Sequence, residues 1–203
     1  MKHSIFVFVV AVSMLAAAPF AHATIFKYAA SLSGPNEAPP NATPGTGFAF
    51  VTVDDVAHTM HVDVTFSGLL GTTTNSHIHC CTAAPFTGTA GVATSTPTFA
   101  GFPSGVTSGT YDNILNMTQA ASFSSAFVTD QGGTPAGAEA ALFGGMSLGE
   151  SYFNIHTNVF PGGEIRGFLA QVPEPATLAL VCLGLAGLGW GRHRKMHHQP
   201  MLG

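Results

Sequence analysis

The stretch Thr74-Asn-Ser-His-Ile-His-Cys-Cys-Thr82 carries the densest chemistry in the chain. His77 and His79 are two residues apart, and on a strand such residues project from one face, about 7 Å from each other. That spacing offers two imidazoles to one metal ion. Zinc or copper then needs a third ligand from elsewhere. His156, in Asn154-Ile-His-Thr157, supplies it from a second strand-like segment. Cys80 adds a candidate thiolate, which suits copper or zinc. Three readings stay open. The set His77, His79, His156 and Cys80 binds a metal, the histidines make structural hydrogen bonds to loop backbones, or they line another polar binding site. Cys80 and Cys81 read equally as two thiols or as a vicinal disulfide.

These residues need strands to hold them. Thr59 to Leu69 alternates most cleanly: Met60, Val62, Val64 and Phe66 face inward, while His61, Asp63 and Thr65 face water. This period of two predicts a half-buried antiparallel strand. Before it, Thr46 to Asp54 sets Ala49, Val51 and Val53 against Phe48, Phe50 and Thr52, and Asp54 to His58 reads as the hairpin turn. A first strand starts near Ile25. A second hairpin is expected from Tyr152–Thr157 and Glu164–Ala170, around Pro161-Gly162-Gly163. Gly91–Thr94 reads as a short strand. Residues 96–115 do not decide, and 118–130 reads equally as a short helix or as extended chain. Thr134 to Met146 reads as a helix capped by Thr134, with Pro135 in first position and Gly144 as its stop. Glu164 and Arg166 share a face and are expected to pair with each other or across the hairpin. His58 and His61 are expected in solvent.

Both ends read as addresses. Lys2, the apolar run Ile5–Ala18 and Ala21-His22-Ala23 form a secretory signal peptide over 1–23, cut by signal peptidase after Ala23, with Ala21 and Ala23 as the residues read. At the other end, Pro173-Glu174-Pro175 precedes an apolar stretch of roughly 16 residues, close to the minimum for a transmembrane helix. Arg192, Arg194 and Lys195 follow and stay cytoplasmic. The order of these three parts closely resembles the PEP-CTERM sorting signal of Gram-negative bacteria. The resemblance implies recognition by an exosortase at Pro173, Glu174 and Pro175, over 172–196, with a cytoplasmic tail at 197–203. The protein is then exported, tethered for a time to the inner membrane through its C-terminal helix.

The remaining body, 24–171, is close to one domain in length. It holds two basic residues, Lys27 and Arg166, against nine acidic ones, a net charge of −7 with histidines neutral. Nucleic acid as a partner is excluded, because that binding needs a basic footprint. No disulfide framework exists, since Cys182 lies in the tail. No nucleophile elbow, phosphate loop or carboxylate pair can be named, so the reading leans away from an enzyme. Short strands with long turns suit an all-β sandwich or Greek-key barrel.

Three blocks in this order resemble the CHRD domain family: Gly34 with Glu37-Ala-Pro-Pro40, His77-Ile-His79, and Asn154-Ile-His-Thr157 with Pro161-Gly-Gly-Glu-Ile-Arg-Gly167. The resemblance implies an immunoglobulin-like antiparallel β-sandwich. Many members follow the His-x-His with Cys-Gly, whereas this chain has Cys80-Cys81. The expected role is binding or structural presence in the envelope or extracellular matrix, with extracellular polysaccharide as a candidate partner. Copper or zinc binding is the alternative.

Overall fold

A computed structural model describes residues 25–173. The signal peptide with Ala21 and Ala23, the C-terminal helix, Glu174, Pro175 and the tail at 197–203 fall outside the described residues. Pro173 is described and exposed. Among the described residues, no helix is long and apolar enough to cross a membrane.

The two strong alternations behave as their period demands. β1 (Ile25–Ser33), β2 (Thr46–Asp54) and β3 (Thr59–Ser67) pair antiparallel along their full lengths. Val51 faces Val62, Ala49 faces Val64, and Tyr28 faces Val51, all buried. Each fully buried side chain of this size contributes about 1.5–3 kcal/mol relative to exposure. β4 (Thr73–His79), β6 (Tyr152–Thr157) and β7 (Ile165–Phe168) make the second wing. β5 (Gly109–Asn116) adds to β3, and β8 (Ala170–Gln171) adds to β1. The strand order is β4-β6-β7-β1-β2-β3-β5.

The fold is therefore mostly antiparallel β, as the patterning predicts. Its strands form one connected sheet curled into a half barrel, and the hydrogen bonding does not divide them into two separate sheets. The physical reason lies in β1, which pairs with β2 on one edge and with both β7 and β8 on the other. Between β7 and β8, Leu169 leaves the ladder, sends its N–H to the Ser151 carbonyl and buries its side chain completely.

Other local readings are corrected. Gly91–Thr94 makes only isolated bridges, His79 to Val92 and Thr94 to Phe123. It still screens the outer edge of β4, where Ala93 donates to the Ile78 carbonyl and Phe99 to that of Ser76. Helix α1 (Ser125–Asp130) is capped by Ser124. Helix α2 (Pro135–Ser147) starts as expected, with the Thr134 hydroxyl accepting from Gly137. It runs through Gly144 and stops before Gly149, whose φ of 72° suits glycine. Ala138, Leu142 and Met146 of α2 enter the core with Phe99, Phe102, Met117 and Phe123.

The two wings differ in one respect that matters for function. On β2 and β3 the outer residues are exposed or half-buried. On β4, β6 and β7 both faces are buried. Ile78, Phe153, Ile155 and Ile165 fill the inner face. The outer face carries polar side chains, covered by the connecting segments.

Glu164, just before β7, anchors this cover. It is fully buried, and its carboxylate accepts from the Thr43 hydroxyl at 2.6 Å and the Thr157 hydroxyl at 2.7 Å. It also accepts from the Leu70 and Gly71 N–H groups. Burial raises its pKa, but these four donors outweigh it and hold the carboxyl below its ordinary range. The expected ion pair with Arg166 does not form; Glu164 uses hydroxyls and backbone instead. Glu164→Ala leaves these donors without their acceptor and is expected to destabilise the protein by about 3 kcal/mol. Thermal or urea unfolding of the full chain checks it, and a loss under about 1 kcal/mol contradicts the anchoring role.

Candidate metal centre

The roofed face is set by register. His77 pairs with Asn154, Asn154 with Arg166, His79 with Tyr152, and Tyr152 with Phe168. His156 follows Asn154 by two residues. The three sequence-predicted histidines thus stand on one face of two neighbouring strands. Their ring centroids are 5.9 Å (His77–His79), 5.4 Å (His77–His156) and 5.9 Å (His79–His156) apart. One nitrogen from each ring lies within 4.8 Å of one from each of the others.

Each imidazole is held by a backbone carbonyl from a different loop. His77 Nε2 lies 2.7 Å from the Pro97 carbonyl, His79 Nδ1 2.9 Å from that of Ala90, and His156 Nδ1 3.0 Å from that of Pro161. A carbonyl only accepts, so each of these nitrogens carries the proton. The tautomers follow from those partners. The opposite nitrogens, His77 Nδ1, His79 Nε2 and His156 Nε2, present lone pairs, and all three are buried without a partner.

The electrostatics keep the rings neutral. Burial lowers the pKa of His77, against the Pro97 carbonyl, and His156 lowers it further. Burial, joined by the nearby His156, His77 and Arg166, pushes His79 down to about 4. Burial also lowers His156. Three neutral imidazoles with free, converging lone pairs, each oriented through its other nitrogen, is the arrangement in which histidines serve metal ions. An ion with bonds of about 2.0–2.1 Å draws tetrahedral ligand atoms to about 3.4 Å apart. The rings need only a modest inward shift.

Cys80 does not join them. It forms a disulfide with Cys81, so no thiolate is offered. Its side chain follows Ile78 to the other side of β4 and packs with Cys81 against Gly145 of α2. His58 is exposed, as expected, and His61 is half-buried; their rings also come within 2.9 Å of Glu139 and Asp112 respectively.

Other residues complete the face. The Tyr152 ring carries His79 stacked at 4.7 Å and the Arg166 guanidinium at 4.8 Å. Arg166 donates to the Asn36 and Gly88 carbonyls, bolting two loops over the sheet, and lies 3.8 Å from Glu37 Oε2. Burial raises the Glu37 carboxyl to about 7, although Arg166 and the Ala38 N–H oppose it. Asn154 is buried with Oδ1 unpartnered. Alternation puts Asn154 on the face of His156; the sequence does not single out Tyr152, which stands on that face too. Glu37 stands in a block that resembles the family, but its place over the sheet depends on a loop that periodicity does not reach.

The CHRD domain family model matches residues 28–169. A model of the PEP-CTERM protein-sorting motif matches residues 171–195. The chain belongs to the CHRD domain family and carries a PEP-CTERM sorting motif, which implies processing by an exosortase and export to the envelope or beyond. Searches of curated proteins and of solved structures find no match.

The lowered histidine pKa values carry a signed consequence. A group whose folded pKa is depressed adds stability above its unfolded pKa and loses it as pH falls through the folded value. For metal-free protein, stability should therefore fall on acidification from about pH 6.5 to about 4. His79 alone contributes up to roughly 3 kcal/mol of that fall. Thermal unfolding in chelator across this range checks it, and His79→Gln should flatten the slope.

Proposed function

We propose that this protein is an exported domain holding one zinc or copper ion through His77 Nδ1, His79 Nε2 and His156 Nε2. The observations that carry the reading are that each ring buries one unpartnered nitrogen and that the three rings bring one nitrogen each within 4.8 Å of the others. Imidazole suits zinc and copper alike, and three nitrogens leave a fourth position open. Buffering or sensing the metal fits such a site.

The routing belongs to the same proposal. Signal peptidase removes 1–23 after Ala23. The C-terminal helix tethers the body to the inner membrane of a Gram-negative cell, and an exosortase acts at Pro173-Glu174-Pro175. The destination is the envelope or extracellular matrix, with polysaccharide a candidate neighbour. The curled sheet is read as the family's sandwich with its halves joined through β1.

A second reading is a domain acting by binding or structural presence alone. It is favoured by the fact that every one of the three imidazoles already makes a backbone hydrogen bond.

Metal analysis of protein purified from the envelope separates the two. About one equivalent of zinc or copper is expected, lost in His77→Ala and in His156→Ala. Ion added at 100 times its Kd should stabilise the chelated protein by about 2.7 kcal/mol. Metal-free protein that takes up neither ion, with melting unchanged on addition, supports the second reading. For the routing, the mass of the exported form should lack 1–23 and the tail beyond the Pro-Glu-Pro element. An exported form with the tail intact contradicts exosortase cleavage.

A further inference from the structure

Six buried polar side-chain atoms lack a partner among the described residues. Three are the ring nitrogens assigned to the ion, and one is Ser151 Oγ. The other two, Asn154 Oδ1 and Glu37 Oε1, belong to the roofed face beside the histidines. Asn154 stands in register with His77, so their Cβ atoms are about 5 Å apart. Its other neighbour in the row is Arg166.

Asn154 and Glu37 border one spot. A Cβ added to Gly163 would lie 2.7 Å from Asn154 Nδ2, 2.7 Å from Glu37 Oε1 and 2.8 Å from Asn154 Oδ1. Gly163 has a φ of 128°, and its bare Cα leaves both oxygens room. A cleft of about 300 Å³ opens there, walled by Pro39, Pro40, Val159, Phe160 and Gly163, with Glu37 in its lining.

Neither oxygen has a hydrogen-bond partner among the described residues; Asn154 Oδ1 is an acceptor throughout, and Glu37 Oε1 is one once its carboxyl ionises, above about pH 7. Arg166 does not serve Glu37 Oε1: it binds the Asn36 and Gly88 carbonyls and faces the other carboxyl oxygen at 3.8 Å. A ligand that satisfies both oxygens must bring hydrogen-bond donors. To occupy the ion's open position as well, it must bring a lone pair. An ammonium has hydrogens but no lone pair. Azide or chloride has lone pairs but no hydrogens. A hydroxyl has both.

We propose that the fourth position of the ion takes a hydroxyl ligand, water or a small alcohol, admitted through the Pro39–Phe160 cleft, with Asn154 and Glu37 accepting its hydrogen bonds. This rests on the three-histidine reading. Asn154 and Glu37 are positioning residues for that ligand and do not bind the ion.

The test uses the full chain in a detergent without sugar headgroups, with cobalt(II) as the reporting ion. Cobalt uptake by the wild type is measured first. Azide is then titrated against the visible bands of the loaded fraction, in wild type, Asn154→Leu and Glu37→Gln. With the titrations run at about pH 8.5, above the raised Glu37 value, the first variant removes an acceptor and the second replaces a carboxylate with a group that can donate. Both should bind azide about tenfold more tightly than wild type. Equal azide affinity in all three, within twofold, overturns this inference and leaves ion binding intact. Failure of the wild type to take up cobalt overturns both. Ethylene glycol titration assigns the source. Bands that shift in wild type and not in Asn154→Leu identify an alcohol ligand. Bands unmoved by glycol, in protein showing the azide difference, identify water.

Discussion

The Glu164 carboxylate is the constraint on which the functional wing depends. It joins Thr43 from the segment before β2, Leu70 and Gly71 from the segment before β4, and Thr157 at the end of β6. Four donors on one buried anion offset the cost of its desolvation, and without them a charge at that depth would not be tolerated. The result fixes where β7 begins relative to β4 and β6. Register then does the rest. Once Ile165 is opposite Ile155, Asn154 must face Arg166, and the separate β4–β6 ladder, past its irregularity between Thr73 and Asn75, sets His77 opposite Asn154. The placement of the three histidines follows from these two ladders and the pleat.

The same wing shows a division of labour within a single sheet. β1, β2 and β3 make stability by alternation: apolar residues inward, polar residues towards water. β4, β6 and β7 are covered on both sides, so their outer residues are polar and buried together. Such a surface survives only if its groups find partners in the cover. Pro97, Ala90 and Pro161 give carbonyls to the histidines, while Asn36 and Gly88 give theirs to Arg166. The connecting segments look irregular, yet each of these contributes a carbonyl at a defined point. Long loops with so many specific backbone contacts are parts of the site they cover.

Much of this was legible in the sequence where a period governed it. The inward set Met60, Val62, Val64 and Phe66 is buried as the alternation requires, and the Thr134 cap with Pro135 starts α2. His77, His79 and His156 were brought together by strand geometry and two local motifs, and the structure places them within ring contact. What the sequence withheld depends on long-range neighbours. β5 was missed because Asn113 stands inward and Ile114 outward, breaking the pattern. Gly144 looked like a helix stop, but packing carries α2 on to Ser147. Arg166 looked like the partner of Glu164 by proximity in sequence. It joins Glu37, more than a hundred residues away, because the loop at Gly34–Asn41 folds over β7. The disulfide removes Cys80 from the ligand set, and a sequence in which thiols and a vicinal disulfide read alike does not decide that.

The balance of partners distinguishes the histidine trio from ordinary structural histidines. A structural imidazole in a protein interior engages both nitrogens, or leaves the second one in contact with water. Here each ring satisfies one nitrogen with a carbonyl and buries the other with nothing. Leaving a buried polar atom unpaired costs about 1–3 kcal/mol. Three such nitrogens with the Asn154 and Glu37 oxygens thus cost a sum comparable to the whole stability of a domain, about 5–15 kcal/mol. The carbonyl bonds that orient the rings do nothing to relieve this, since they engage the opposite nitrogen. A cation relieves the nitrogens, and a donor relieves the oxygens. One occupant of each kind beside Asn154 would give all five groups a partner, which is what the proposed ion and its hydroxyl ligand supply.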